Sequence, residues 1–253
     1  DDPYDWIVPG VLERSDRLIL TGFEGLGKSM LLRQMAVMIA AGMHPFDWHR
    51  HSECHPRKVL FIDCENSTRQ SRRKFGELAA ASIHYGNRVP DGMLRLIHKP
   101  EGIDLTQDEW AAWLLERVTA HRPDVLFVGP FYRLHNANMN EELPARRVAA
   151  VLDQVRTAVD CALITDAHAG HGEQGIKRSV RPTGSSLLLR WPEFGLGLRP
   201  ADEEMVNGRP RTVEVQPWRG GRDDRAWPRY LTMGGPHEWP WRSAFKPAVP
   251  DAA

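Results

Sequence analysis

The chain has 253 residues with 33 basic and 33 acidic side chains, so no global field draws it to nucleic acid or anionic membrane, and any polyanion site must be a local patch. The length suits one large α/β domain, expected as a single unit over 1–253 with a core at about 12–200 and a C-terminal β-hairpin extension at about 201–253. Cys54, Cys64 and Cys161 are odd in number and widely spaced, which argues against a disulfide framework. With no apolar run of roughly 18 residues and no signal-peptide pattern, a soluble cytoplasmic protein without a membrane partner is expected.

In chain order, residues 17–21 form a short apolar run ending at Gly22, and residues 28–41 repeat apolar side chains at helical spacing through Met30, Leu31, Met35, Met38 and Ile39. Residues 58–63 read as a buried strand and 67–81 as a helix with one exposed face. A weaker strand at 94–98 precedes a helix at 108–121, and buried strands at 125–128 and 162–165 flank a helix at 142–159. Alternating strands and helices imply right-handed crossovers and a mostly parallel central sheet with helices on both faces. After about residue 182, short runs at 194–198, 212–215 and 230–233, separated by Gly and Pro, read as antiparallel strands appended to one edge.

Gly22-Phe-Glu-Gly-Leu-Gly-Lys-Ser29 is a complete G-x-x-x-x-G-K-S between a predicted strand and a predicted helix, the context that gives a phosphate loop its chemistry. Its glycines let backbone N–H groups wrap a polyphosphate, and the helix N-terminus adds partial positive charge. Gly22, Glu24, Gly25, Leu26, Gly27, Lys28, Ser29 and Met30 are therefore the candidate ATP-binding residues. Lys28 is expected at the β and γ phosphates, and the Ser29 hydroxyl on Mg²⁺.

Further motifs follow in a fixed order. Asp5-Trp-Ile-Val-Pro-Gly-Val-Leu12 leads in, Val59-Leu-Phe-Ile-Asp-Cys-Glu-Asn66 ends a strand on an acid, and Asp124-Val-Leu-Phe-Val-Gly-Pro130 ends the next. Then come Asp166-Ala-His-Ala-Gly-His171, Arg181-Pro-Thr-Gly-Ser-Ser186 and Trp218-Arg-Gly-Gly-Arg222. Over about residues 6–233 this order resembles the RepA-like branch of the RecA superfamily, the hexameric replicative helicases of plasmids and phages, and more distantly the DnaB helicases. The resemblance implies a RecA-like P-loop fold, with Glu65 as the catalytic carboxylate that orients or deprotonates the attacking water. It implies that His168 senses the γ phosphate and that Arg219 and Arg222 are fingers acting in trans on a neighbour's nucleotide, hence a homo-oligomeric, hexameric ring. The pattern departs at Gly129, where the family carries its Walker B aspartate. Asp166 is the candidate substitute, and Ser29, Asp63 and Asp166 are the candidate metal-binding set.

In motors of this kind the loops after the third and fourth core strands face a central channel, here residues 132–145 and 169–182. Arg133, Lys177, Arg178 and Arg181 in them are candidate contacts to a phosphate backbone. The leading expectation is an ATP-driven single-stranded DNA translocase or helicase of phage or plasmid replication or recombination. One alternative is a metal-dependent nuclease using Asp63, Glu65, Asp166, His168, His171 and Glu173; another is an ATP-dependent ring or loader that binds without turnover. His44, His49, His51, Cys54 and His55 invite a zinc reading, but their spacing matches no regular pairing and a histidine-rich surface loop accounts for them. Trp218, Trp227, Trp239 and Trp241 could stack bases, although packing is the commoner use.

Overall fold

Strands form where the sequence runs apolar without a break, as continuous burial on both faces of a parallel sheet requires. The computed structural model describes residues 3–170, 179–201, 205–206, 208–221, 225–235 and 238–244. In chain order the elements are β1 (Trp6–Val8), β2 (Leu12–Glu13), β3 (Arg17–Gly22), α1 (Lys28–Ala40), β4 (Val59–Asp63), α2 (Thr68–His84), β5 (Leu94–His98), α3 (Asp108–His121) and β6 (Val125–Gly129). They continue as α4 (Glu142–Val159), β7 (Ala162–His168), β8 (Phe194–Pro200), β9 (Met205–Val206), β10 (Arg209–Pro210), β11 (Thr212–Arg219), β12 (Tyr230–Met233) and β13 (Trp241–Ala244).

Among the described residues the main sheet has nine strands in the order β13-β12-β11-β8-β3-β7-β6-β4-β5. From β8 to β5 every neighbouring pair is parallel, and from β8 outward through β11, β12 and β13 every pair is antiparallel. The expected parallel sheet with antiparallel strands on one edge is therefore present, and no described helix is long and apolar enough to cross a membrane. On one face Leu31, Met35, Ile39, Phe75 and Leu78 pack with Phe61 and Phe127. On the other, Leu114, Val118, Val148 and Leu152 pack with Ile62, Leu126 and Leu163. The helices that cover the faces start where local chemistry dictates: Ser67 and Gln70 form a reciprocal capping box at the start of α2.

Register then decides what meets. Asp63 pairs with Gly129, Leu20 with Asp166 and Gly22 with His168, so the carboxyl ends of β3, β4, β6 and β7 share one edge, where ligands of open α/β sheets bind. β7 runs three residues beyond the expected 162–165 because Asp166, Ala167 and His168 continue pairing with β3. The β1–β2 and β9–β10 hairpins and β13 were not expected from periodicity. Each is two to four residues long, too short to display a repeat.

β13 matters beyond its length. Trp241 exchanges two backbone bonds with the Gln34 side chain of α1, at 2.8 and 2.7 Å, and its buried indole lies against Gly27, where an added Cβ would come within 2.7 Å of the ring. Packing therefore claims this tryptophan. Trp239 stacks on Tyr85, Trp227 lies between Phe46 and Phe194, and the Trp218 indole donates to the Thr21 hydroxyl at 3.0 Å. Trp241→Ala is expected to lose about 3–5 kcal/mol of stability, the cost of truncating a buried aromatic, in guanidinium denaturation. A loss below about 1 kcal/mol would show that β13 does not support the loop.

Candidate active site

β3 ends at Gly22, and the chain then turns through Gly25 and Gly27, both at φ +82°, a left-handed conformation that favours glycine. Gly27 caps α1 with no side-chain hydrogen bond, and none of the amides from Gly25 to Ser29 donates to another described group. Five such N–H groups leading into a helix N-terminus are donors that an anion can take up. The Lys28 ammonium lies at the back of this loop, donating to the carbonyls of Gly22 at 2.9 Å and Phe23 at 3.2 Å. Burial lowers the Lys28 pKa, opposed by the charges of Asp166, Glu65 and Glu24.

In front of the loop opens a cavity of about 680 Å³. Its lining joins Glu24, Gly25, Gly27, Lys28, Ser29 and Met30 to Glu65, Asp166 and His168, three site residues drawn from the ends of β4 and β7. Gly22 stays in its strand, and the Leu26 side chain turns into the core, leaving that residue's amide as its available contact. Sequence reasoning did not single out several other lining residues, among them three cations and a tyrosine. Arg73 and Lys74 come from the cavity face of α2, Arg209 from the β9–β10 hairpin, and Tyr132 from the short 3₁₀ turn after β6. The Tyr132 hydroxyl donates to Glu65 Oε1 at 2.7 Å and its ring lies 5.3 Å from that of His168. A tyrosine three residues past the departed Walker B position was the available signal.

Asp63 does not line the cavity. Its Oδ1 accepts the amides of Glu65 and Asn66 and the Asn66 side chain, while Oδ2 accepts Arg33 at 3.2 Å. Burial pushes this carboxyl up, but the Asn66 bonds and the Arg33 charge outweigh that and hold it below its ordinary value. The candidate metal role thus falls on a side chain already saturated as a turn cap and buried ion pair.

Asp166 has the opposite environment. It is buried, and no described donor hydrogen-bonds its carboxylate; burial pushes it up to about 6 against the charge of Lys28. A buried carboxylate without a hydrogen-bond partner is costly unless a cation joins it. It lines the same cavity as Ser29, and a carboxylate with a hydroxyl fits a hard divalent ion with oxygen ligands. A Cβ built on Gly129 would lie 3.0 Å from Thr165 Oγ1 and 3.1 Å from Asp166 Oδ1. Asp166 therefore fills the space that an acid at 129 would need. Gly129→Asp is expected to destabilise the fold by about 1–3 kcal/mol through overpacking and like charge, and an unchanged denaturation midpoint would contradict this crowding.

The remaining expected residues divide clearly. Arg133 donates to the carbonyls of Cys64, at 3.2 Å, and Pro100, and Arg219 donates to those of Leu189, at 3.2 Å, and Pro192. Each holds its own chain's backbone. Arg181 is exposed, its carbonyl accepting the Gly170 amide at 3.3 Å, whereas Lys177, Arg178, His171, Glu173 and Arg222 lie outside the described residues. No three His, Cys, Asp or Glu among the described residues form a metal-holding group. His44 instead accepts the amides of Phe46 and Asp47 at Nδ1, at 3.2 and 2.8 Å, and His51 Nδ1 accepts the His44 amide. The histidine-rich stretch is a hydrogen-bonded turn.

Known proteins agree with this geometry at the level of fold. The chain resembles the KaiC-like protein PH0186 of Pyrococcus horikoshii OT3, with a TM-score of 0.57 and 12% identity over 92% of this chain and 96% of that one. It also resembles the flagellar accessory protein FlaH of Methanocaldococcus jannaschii, with a TM-score of 0.53 and 11% identity over 92% of this chain and 90% of that one. No curated protein matches significantly in sequence. Residues 1–174, well over half of the chain, match the AAA domain family of the AAA_25 type. Together with the phosphate loop and the sheet order around it, this match establishes that the chain belongs to the AAA domain family and is a RecA-like P-loop ATPase.

Proposed function

We propose that the protein is an ATP-driven motor on single-stranded DNA, a translocase or helicase of phage or plasmid replication or recombination, working in the cytoplasm as a homo-hexameric ring. The observation that carries the ATPase part is the set of unbonded amides from Gly25 to Ser29, facing a cavity that also holds Lys28, Glu65 and Asp166. Lys28 and the loop amides bind the β and γ phosphates and neutralise charge as the bond breaks. Glu65 accepts a proton from the attacking water as its oxygen bonds to the γ phosphorus. The bond from that phosphorus to the β–γ bridging oxygen breaks, ADP leaves, and the proton passes on to inorganic phosphate. Mg²⁺, held by Ser29 and Asp166, supplies charge neutralisation and Lewis-acid polarisation when bound. His168, one strand from the loop, reports the γ phosphate to the segment that follows β7.

Support for the DNA part comes from position. Exposed Arg181 follows the strand carrying Asp166 and His168, and Lys177 and Arg178 precede it in sequence. Arg219 and Arg222 lie at the end of β11 and just beyond it in sequence, where a ring would bring a neighbour's nucleotide; Arg219 would first have to leave Leu189 and Pro192. The test is phosphate release with and without single-stranded DNA, run beside sedimentation of the protein with nucleotide. DNA-stimulated release from a six-fold assembly supports the proposal. Release indifferent to DNA removes the motor, and nucleotide binding without release leaves a clamp or loader.

A further inference from the structure

Glu65 sits at the end of β4 and His168 at the end of β7, and Tyr132 bridges them: its hydroxyl bonds the Glu65 carboxylate while its ring leans on the imidazole. Both neighbours of Tyr132 are fixed, Phe131 buried in the core and Arg133 tied to the Cys64 and Pro100 carbonyls. Tyr132 is therefore aimed by its flanks. Beyond Leu134 and His135, both buried, residues 136–143 are exposed throughout, and these belong to the segment read above as facing DNA.

A general base needs a lone pair turned to the water, and a carboxylate that accepts a phenol proton donor at 2.7 Å has that oxygen occupied. We propose that Tyr132 is a positioning residue that latches Glu65 in a resting orientation, and that a DNA strand on residues 136–143 swings its ring off the acid and frees the carboxylate. The latch rests on the ATPase reading, and its release rests on the DNA reading. Burial and the bond to Glu65 push the Tyr132 hydroxyl up to about 12, so it keeps its proton and remains a donor at neutral pH.

Tyr132→Phe retains the ring on His168 and deletes the latch. Its basal phosphate release is expected to rise roughly tenfold, the kinetic weight of one hydrogen bond to a charged group. KM for ATP should stay unchanged and the further stimulation by single-stranded DNA should shrink by the same factor. A basal rate that is unchanged or lower overturns the latch. A raised basal rate in a protein that DNA never stimulates keeps the latch and removes the DNA reading. A second measurement needs no turnover: in protein labelled at tyrosine Cζ with ¹³C, the resonance lost in Tyr132→Phe should move in Glu65→Ala, which removes the acceptor. A resonance indifferent to Glu65→Ala shows that the bond is absent in solution and overturns the proposal.

Discussion

Lys28→Ala is expected to lower the rate of phosphate release roughly 10²–10³-fold, the loss that follows removal of one preorganised charge donor from a transferring group. Lys28 is buried, surrounded by the charges of Asp166, Glu65 and Glu24, and bound to two loop carbonyls. It is thus held at the back of the loop, in the lining of the cavity. Alanine leaves those carbonyls and acids without their cation, so weaker ATP binding should accompany the kinetic loss. The check is steady-state release alongside equilibrium ATP binding, on protein confirmed as folded by circular dichroism. A folded variant within about threefold of wild type would place the reacting phosphate away from this lysine.

Glu65→Gln separates binding from chemistry. The glutamine keeps the shape and can still meet Tyr132, but it cannot take the proton from water, so turnover should fall roughly 10²–10⁴-fold while ATP affinity holds within a factor of about three. The distinction from Lys28→Ala is what identifies a base: one variant loses both quantities and the other loses only the rate. Equal losses of affinity and rate in Glu65→Gln would instead mark Glu65 as a general electrostatic element of the pocket.

The sequence made the core legible because its strands are buried on both faces. β4, as Val59-Leu-Phe-Ile-Asp63, is buried at every position, and such runs admit few other readings. The phosphate loop was legible for a related reason, since the glycines at 25 and 27 need left-handed backbone and only a few residues fit between strand and helix. What escaped lies across long stretches of chain. Tyr132 meets Glu65 from 67 residues away, Trp241 meets Gly27 from the far edge of the sheet, and Arg209 enters the cavity from a hairpin of two-residue strands. Residue type alone also misleads. Arg133 was legible as a cation suited to DNA, yet its guanidinium is bonded to backbone carbonyls, and Asp63 was legible as an acid at a strand end, yet its oxygens are filled by Asn66, Glu65 and Arg33. For such side chains charge is in the sequence, and direction is in the fold.

The departure at Gly129 is explained by volume. Asp166 stands where a carboxylate from the neighbouring strand would otherwise reach, and a Cβ at 129 would press against it. An acid on the neighbouring strand occupies that space. The cavity keeps a carboxylate, Asp166, in one lining with Lys28 and Ser29.

The most direct measurement is a crystal structure with Mg²⁺ and a non-hydrolysable ATP analogue. The expected result is a polyphosphate enclosed by the amides from Gly25 to Ser29, the Lys28 ammonium turned from the Gly22 and Phe23 carbonyls onto the phosphates, and the metal between Ser29 and Asp166. Analogue bound elsewhere, with Lys28 still on its two carbonyls at saturating concentration, would contradict the assignment of this loop as the site of hydrolysis.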